Sequence, residues 1–133
     1  MDILSYQSDF LSYLESNKIT REPKNLYEPI DYILKIGGKR IRPILTLIAS
    51  DIFSGDYKKA LPAALAVEVF HNFTLVHDDI MDDAPLRRGN KTVHEKWDIN
   101  TGILSGDAML ILAYQYFENY EPKVFQKLAK LFS

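Results

Sequence analysis

The sequence contains no cysteine. That excludes disulfide scaffolds, thiolate zinc sites and cysteine nucleophiles. No apolar run approaches the roughly 20 residues that span a bilayer. No basic residue precedes Lys18, so a secretory leader is not expected and a cytoplasmic location is. Neither sign dominates the charge: 16 basic and 18 acidic residues give a net charge of -2. Bulk electrostatics thus give no reason to expect a nucleic-acid or anionic-membrane partner, and any anion site must be a local basic cluster. Strand signals are scarce, and no repeat, low-complexity segment or linker interrupts the chain. What is present is a 133-residue chain that is 47% hydrophobic and 26% charged, enough for one domain to bury a core.

Apolar residues recur at helical spacing in almost every segment. Ile3, Phe10, Leu11 and Leu14 predict a first helix over roughly residues 2–17. Leu26, Ile30, Ile33 and Leu34 predict a second, stopped by Gly37-Gly38. Pro43 suits the first turn of a third, running through Leu45, Ile48 and Phe53 to Ser54-Gly55. A fourth is expected from near Asp56 to about Met81, with Pro62 in its first turns. Residues 83–91 read as a loop, because proline, glycine and asparagine fall together there. Thr92 and Glu95 form a capping-box pattern that predicts a short helix. Residues 101–119 and 122–132 complete an all-α bundle of about seven helices. Val124, Leu128 and Leu131 make an apolar stripe near Ser133. Either it folds back onto the domain, or the chain is a piece of something larger.

The segment His77-Asp78-Asp79-Ile80-Met81-Asp82-Asp83 carries the strongest chemical signal. Clustered aspartates repel one another and lower helix propensity. They also lie near a predicted helix C-terminus, where negative charge is disfavoured. Local stability does not explain them. At 3.6 residues per turn Asp82 lies about 40° from Asp78 and one turn above it, so the two carboxylates can share hard cations. Asp79 sits about 100° round from Asp78 and either supports the metal carboxylates or faces solvent. An oxygen donor set without cysteine points to Mg²⁺ or Mn²⁺ rather than zinc.

Two basic clusters accompany the aspartates. Gly37-Gly38-Lys39-Arg40-Ile41-Arg42-Pro43 puts three cations at a helix start, which the dipole disfavours unless an anion joins them. It is not a P-loop, for the GxxxxGK[ST] spacing is absent. Lys39 and Arg42, three apart, can face one anion, with Arg40 turned elsewhere. Arg87-Arg88-Gly89 is the second cluster, and arginine pairs bind phosphate in a bidentate way. His71 shares the Asp78 face about 10 Å lower along the helix, as a packed core residue or as an anion donor. Two basic clusters and a metal site argue for two separate polyphosphate groups, one bridged by metal and one held by cations alone.

Three motifs in this order, GGKRIRP at 37–43, DDIMDDAPLRRG at 78–89, and TVHEK at 92–96 followed by SGDAML at 105–110, resemble the polyprenyl synthetases. These are the trans-isoprenyl diphosphate synthases, which include the farnesyl and geranylgeranyl diphosphate synthases. The resemblance covers nearly the whole chain but only the N-terminal part of the family's isoprenoid synthase fold. It implies an all-α, Mg²⁺-dependent prenyltransferase, usually a homodimer, that joins an allylic diphosphate to isopentenyl diphosphate. By the same resemblance Lys39, Arg42, His71 and Arg88 bind isopentenyl diphosphate, and Asp78 and Asp82 hold metal on the allylic diphosphate. Arg87 binds that allylic group, so that Asp78, Asp82 and Arg87 form the catalytic set. Phe73 and Thr74, about 6–7.5 Å below Asp78 by helical rise, would set the product length at about C15–C20. Phe73 lies about 140° from Asp78 on an ideal wheel, so either the helix is distorted there or the pocket curves round it.

The family carries a second aspartate-rich motif downstream, and no paired aspartates follow residue 107. Lys91 also stands where many relatives have proline. Residues 1–133 are therefore expected to be a truncated N-terminal part of a polyprenyl synthetase domain, without turnover when assayed alone. Two rivals stay open. An HD-type metal phosphohydrolase would use His71 and the His77-Asp78 pair, but leaves GGKRIRP and RRG unexplained. A non-catalytic synthase-like subunit would lack the second motif by design.

Overall fold

The computed structural model describes residues 2–133. Among them are seven α-helices: α1 (Ile3–Ser16), α2 (Lys24–Ile36), α3 (Ile41–Ser54), α4 (Leu61–Met81), α5 (Val93–Lys96), α6 (Ile99–Gln115) and α7 (Pro122–Phe132). The all-α expectation therefore holds, with four local corrections. Between Asp56 and α4 the chain forms a 3₁₀ turn, Tyr57–Ala60, and a second one, Tyr116–Asn119, follows α6. The 83–91 segment holds two-residue antiparallel strands, β1 (Leu86–Arg87) and β2 (Asn90–Lys91). The capping box does not form. Thr92 occupies the N-cap of α5 without a side-chain cap bond, because its hydroxyl donates to the Ala84 carbonyl at 2.8 Å instead.

The chain divides into two compact units. The first comprises residues 2–16, 40–68 and 111–133. Tyr6 and Phe10 of α1 and Leu47 of α3 are fully buried in it. Crossed tyrosine–aspartate bonds tie its elements together. Tyr6 donates to Asp51 at 2.6 Å, and Tyr57 donates back to Asp9 on α1. The two rings meet edge to face, with centroids 4.8 Å apart. Gly55, left-handed at φ 72, closes α3 with its N–H on the Asp51 carbonyl. The buried Arg40 and Glu68 pair at 3.3 Å. Of the stripe on α7, Val124 and Leu131 remain exposed, Leu131 at 81%, and Leu128 is half-buried. Phe132 packs instead, edge to face on Tyr114 at 5.8 Å and Phe117 at 4.9 Å. A side chain one residue beyond the stripe reaches the neighbouring aromatic pair, which helical periodicity alone does not reveal.

The second unit comprises Asn17–Lys39 and Val69–Leu110. Ile30, Ile33 and Leu34 bury one face of α2. Gly102 and Gly106, one turn apart on α6, face α4. A Cβ at Gly102 would lie 2.9 Å from the Ile80 side chain, and one at Gly106 would lie 2.3 Å from His77 Nε2. Only glycine admits α4 so closely. His77 Nε2 lies 3.1 Å from the Ile103 carbonyl, which fixes the roll of α4. Asp98 caps α6 through Oδ1, which accepts the Thr101 N–H at 2.7 Å. That bond holds its carboxyl below the usual range.

The hydrogen bond to Asp51, reinforced by burial, raises the Tyr6 phenol from 10.0 to about 12. A group raised on folding contributes stability below its unfolded pKa and loses it as pH climbs through the folded one. The stability deficit of Tyr6→Phe is therefore expected to be constant below pH 10 and to shrink toward pH 12. Urea midpoints across that range measure it, and a deficit that does not change with pH would count against the Tyr6–Asp51 linkage.

Candidate active site

The site is built on the last turns of α4. Asp82, the first residue beyond α4, donates its N–H to the Asp78 carbonyl at 2.8 Å and so stands one turn above it. Both are exposed. Among the described residues neither carboxylate accepts a hydrogen bond or makes an ion pair. Two unpaired carboxylates at neighbouring positions suit a hard divalent ion, since Mg²⁺ is typically held by one or two carboxylates plus phosphate and water. α4 then stops: Ala84 N–H reaches the Asp79 carbonyl at 2.9 Å and Asp83 N–H the Ile80 carbonyl at 3.2 Å, with Asp83 left-handed at φ 50. This is the Schellman closure, with aspartate where glycine is usual.

Asp79, which the sequence left undecided, is not solvated. It is 4% exposed and takes Arg87 Nε and Nη2 at 2.8 Å each. That bidentate bond raises the Arg87 pKa further. It uses two of the guanidinium's five N–H donors and leaves three for another oxygen.

The two adjacent arginines part company because of the turn between β1 and β2. Arg88 and Gly89 have φ 51 and 77, the pair of left-handed residues of a type I′ hairpin. Arg87, in β1, faces Asp79, whereas Arg88, at the turn, donates to the Gly37 carbonyl. Gly38, at φ 149, makes room: a Cβ there would lie 2.7 Å from Arg88 Nη2. Tyr32 on α2 anchors the other end of the hairpin by donating to the Lys91 carbonyl at 2.7 Å.

The remaining expected residues fall as follows. Lys39 is exposed in the α2–α3 connection. Arg42 lies in the first turn of α3, exposed, in the first unit. Arg40 is indeed turned elsewhere, to Glu68. His71 is half-buried on α4, and its carbonyl accepts the Thr74 hydroxyl at 2.6 Å. Phe73 lies edge to face between Phe70 at 5.5 Å and His77 at 5.0 Å. His77 and Asp78 do not converge on one ion, since His77 Nε2 faces Ile103 and lies 3.7 Å from Asp107. That removes the geometric basis of the HD reading. Sequence spacing missed the Asp79–Arg87 pair because the two residues are joined only through the turn.

Residues 23–133 match the family model described as polyprenyl synthetase. A geranylgeranyl pyrophosphate synthase from Geoglobus acetivorans is 50% identical over 95 residues, 71% of this chain and 30% of that protein. A crystal structure of geranylgeranyl pyrophosphate synthase superposes with a TM-score of 0.96 at 55% identity, covering 99% of this chain and 40% of that one. A geranyltransferase from Helicobacter pylori, complexed with magnesium and isoprenyl diphosphate, gives a TM-score of 0.82 at 30% identity, covering 98% and 47%. The chain thus spans less than half the length of each of these relatives.

Asp79→Asn removes the charge from a buried bidentate pair. It is expected to cost about 2 kcal/mol, the range for hydrogen bonds to charged groups, as read from urea denaturation. A loss below about 0.5 kcal/mol would mean that Arg87 finds an equivalent partner.

Proposed function

Because the chain belongs to the polyprenyl synthetase family, we propose that the whole protein condenses isopentenyl diphosphate with an allylic diphosphate to a prenyl diphosphate of about C15–C20. The observation that carries the reading is the divergence of Arg87 and Arg88. One stands beside the aspartate-rich turn and the other beside the Gly37–Lys39 segment, as two separate diphosphate groups require. Asp78 and Asp82 are the residues that would hold Mg²⁺ or Mn²⁺. That ion, when bound, supplies charge neutralisation to the departing diphosphate. The whole protein is further proposed to be a cytoplasmic homodimer. Exposed Ile41, Leu45 and Ile52 on α3 support the association, since exposed apolar patches mark contact surfaces. No helix among the described residues is long and apolar enough to cross a membrane.

The remaining Arg87 donors neutralise the oxygens of the allylic diphosphate as its C–O bond breaks and the electron pair leaves with diphosphate. Preorganised donors of this kind stabilise the developing charge most strongly where water is excluded. Lys39, Arg42, His71 and Arg88 hold isopentenyl diphosphate so that its double bond meets the allylic cation and forms the new C–C bond. The proton then lost passes to the released diphosphate. Phe73 and Thr74 line the path of the growing chain. The edge-to-face seat of Phe73 on Phe70 and His77 holds its ring at a defined position.

In the whole enzyme Asp78→Ala or Asp82→Ala is expected to lower kcat by about 10²–10³-fold or more, with a smaller effect on isopentenyl diphosphate binding. Lys39→Ala or Arg42→Ala should mainly raise KM for isopentenyl diphosphate. Steady-state kinetics varying each substrate separately distinguish the two, and exchanged phenotypes would reverse the assignment of the two anion sites. Phe73→Ala should shift the products to longer prenyl diphosphates at little cost in total turnover, as read by chromatography of the dephosphorylated products. An unchanged distribution with lower stability would make Phe73 a packing residue only.

A further inference from the structure

His94 is the anomaly of the second unit. It is 8% exposed, and both ring nitrogens are buried without a hydrogen-bond partner. A neutral imidazole carries one N–H donor and one acceptor nitrogen, and an unmet buried polar group costs about 1–3 kcal/mol. Its position is set by packing, for a Cβ at Gly102 would lie 3.6 Å from the His94 Cβ. One polar environment does lie within reach. An imidazole nitrogen of His94 and carboxylate oxygens of Asp83 and Glu95 all lie within 4.8 Å of one another. Both carboxylates are exposed at the surface above the buried ring.

We propose that Asp83, His94 and Glu95 form a divalent-metal site distinct from the Asp78–Asp82 pair, selective for an ion that accepts imidazole, such as Zn²⁺ or Co²⁺. One nitrogen and two carboxylate oxygens suit such borderline ions, whereas Mg²⁺ prefers oxygen alone. Ligand atoms bound to one Zn²⁺ at about 2.0–2.2 Å stand about 3.3–3.6 Å apart in a tetrahedron. Rotation of two exposed carboxylates closes the remaining gap, and the ring need not move. A fourth position faces solvent and takes water. Bound metal gives at least one orphaned nitrogen its partner.

The placement gives the ion a task. Asp83 lies in the turn that closes α4, and His94 and Glu95 lie in α5 after the hairpin, so the ion fastens both ends of the segment carrying Arg87 and Arg88. Joining Asp83 to His94 closes the ten-residue interval 84–93, which removes chain freedom from that segment. The left-handed Asp83 turns its carboxylate out of the α4 helical path that Asp78 and Asp82 follow. The inference does not rest on the prenyl-transfer reading, since it concerns binding and order of the hairpin alone.

The test uses metal-free protein titrated with Zn²⁺ against a chromophoric chelator, and with Co²⁺ followed by visible absorption. One equivalent is expected to bind in the wild type and in the Asp78→Asn/Asp82→Asn double variant. Asp83→Asn, which tolerates the left-handed backbone, and Glu95→Gln should each weaken binding at least tenfold. ¹⁵N-imidazole spectra of the wild type should show a His94 nitrogen shifted by Zn²⁺, a readout that needs no variant of the buried ring. Amide exchange over residues 84–92 should slow with Zn²⁺ bound. Absence of binding, unchanged affinity in both single variants, loss of the equivalent in the double variant, or an unmoved His94 resonance would each overturn the site. Unchanged exchange over 84–92 would overturn the fastening of the hairpin.

Discussion

Within the second unit everything at the candidate site depends on the close approach of α4 and α6 at Gly102 and Gly106. Those two positions have no side chain, and the His77 and Ile80 side chains occupy the space a Cβ would need. The contact fixes the roll of α4, and the roll fixes which aspartates face outward. Asp78 and Asp82 stay exposed, while Asp79 is turned inward. Four aspartates near a helix C-terminus are disfavoured by the dipole and by mutual repulsion of a few tenths of a kcal/mol per pair. The helix tolerates them because its packing is decided elsewhere along its length and because one of the four is neutralised.

That neutralisation is the work of the hairpin. A type I′ turn requires left-handed backbone at both central residues, and here one of them is Arg88 rather than asparagine or glycine. That left-handed turn separates two neighbouring cations into different surroundings. Arg87 meets Asp79 as a two-bond fork. Arg88 meets a backbone carbonyl of the glycine-rich segment, where Gly38 leaves the room its guanidinium needs. A continuous helix or an open loop through residues 83–92 would not divide the pair so definitely. Tyr32 and Thr92 hold the two ends of the same hairpin by bonds to Lys91 and Ala84 carbonyls. The basis of the two-anion reading is thus a backbone device, and the charges are placed by it.

The first unit is held differently. The buried Tyr6 and the half-buried Tyr57 each give their hydroxyl to an aspartate on another element, and Arg40 gives its charge to Glu68. Such bonds add orientation to an apolar core that has little preference of its own, because hydrogen-bonded polar groups tolerate far less misalignment than methyl groups do. Arg40 also illustrates how a motif can mix roles. In GGKRIRP the residue between Lys39 and Ile41 is left-handed and buried, so it serves the fold, while Lys39 and Arg42 on either side remain exposed.

Helix number, order and approximate ends were legible in the sequence, because burial of one face imposes a 3.6-residue period and glycine and proline mark the stops. So was the family, through three motifs in order. Local pattern was less reliable where a side chain had a choice of partner. Thr92 and Glu95 have the spacing of a capping box, yet the Thr92 hydroxyl goes to Ala84 across the hairpin. The α7 stripe left open whether it docks, and in the structure Phe132 packs while Leu131 stays exposed. Neither the place of Asp79, the parting of Arg87 and Arg88, nor the orphaned ring of His94 could be read from spacing. Each depends on segments brought together by a turn or by a close helix approach, and the sequence by itself carries only periodicity and local chemistry. Periodicity determined which residues form helices. Tertiary packing alone decided which polar groups within them are paired, because pairing requires a partner that is distant along the chain.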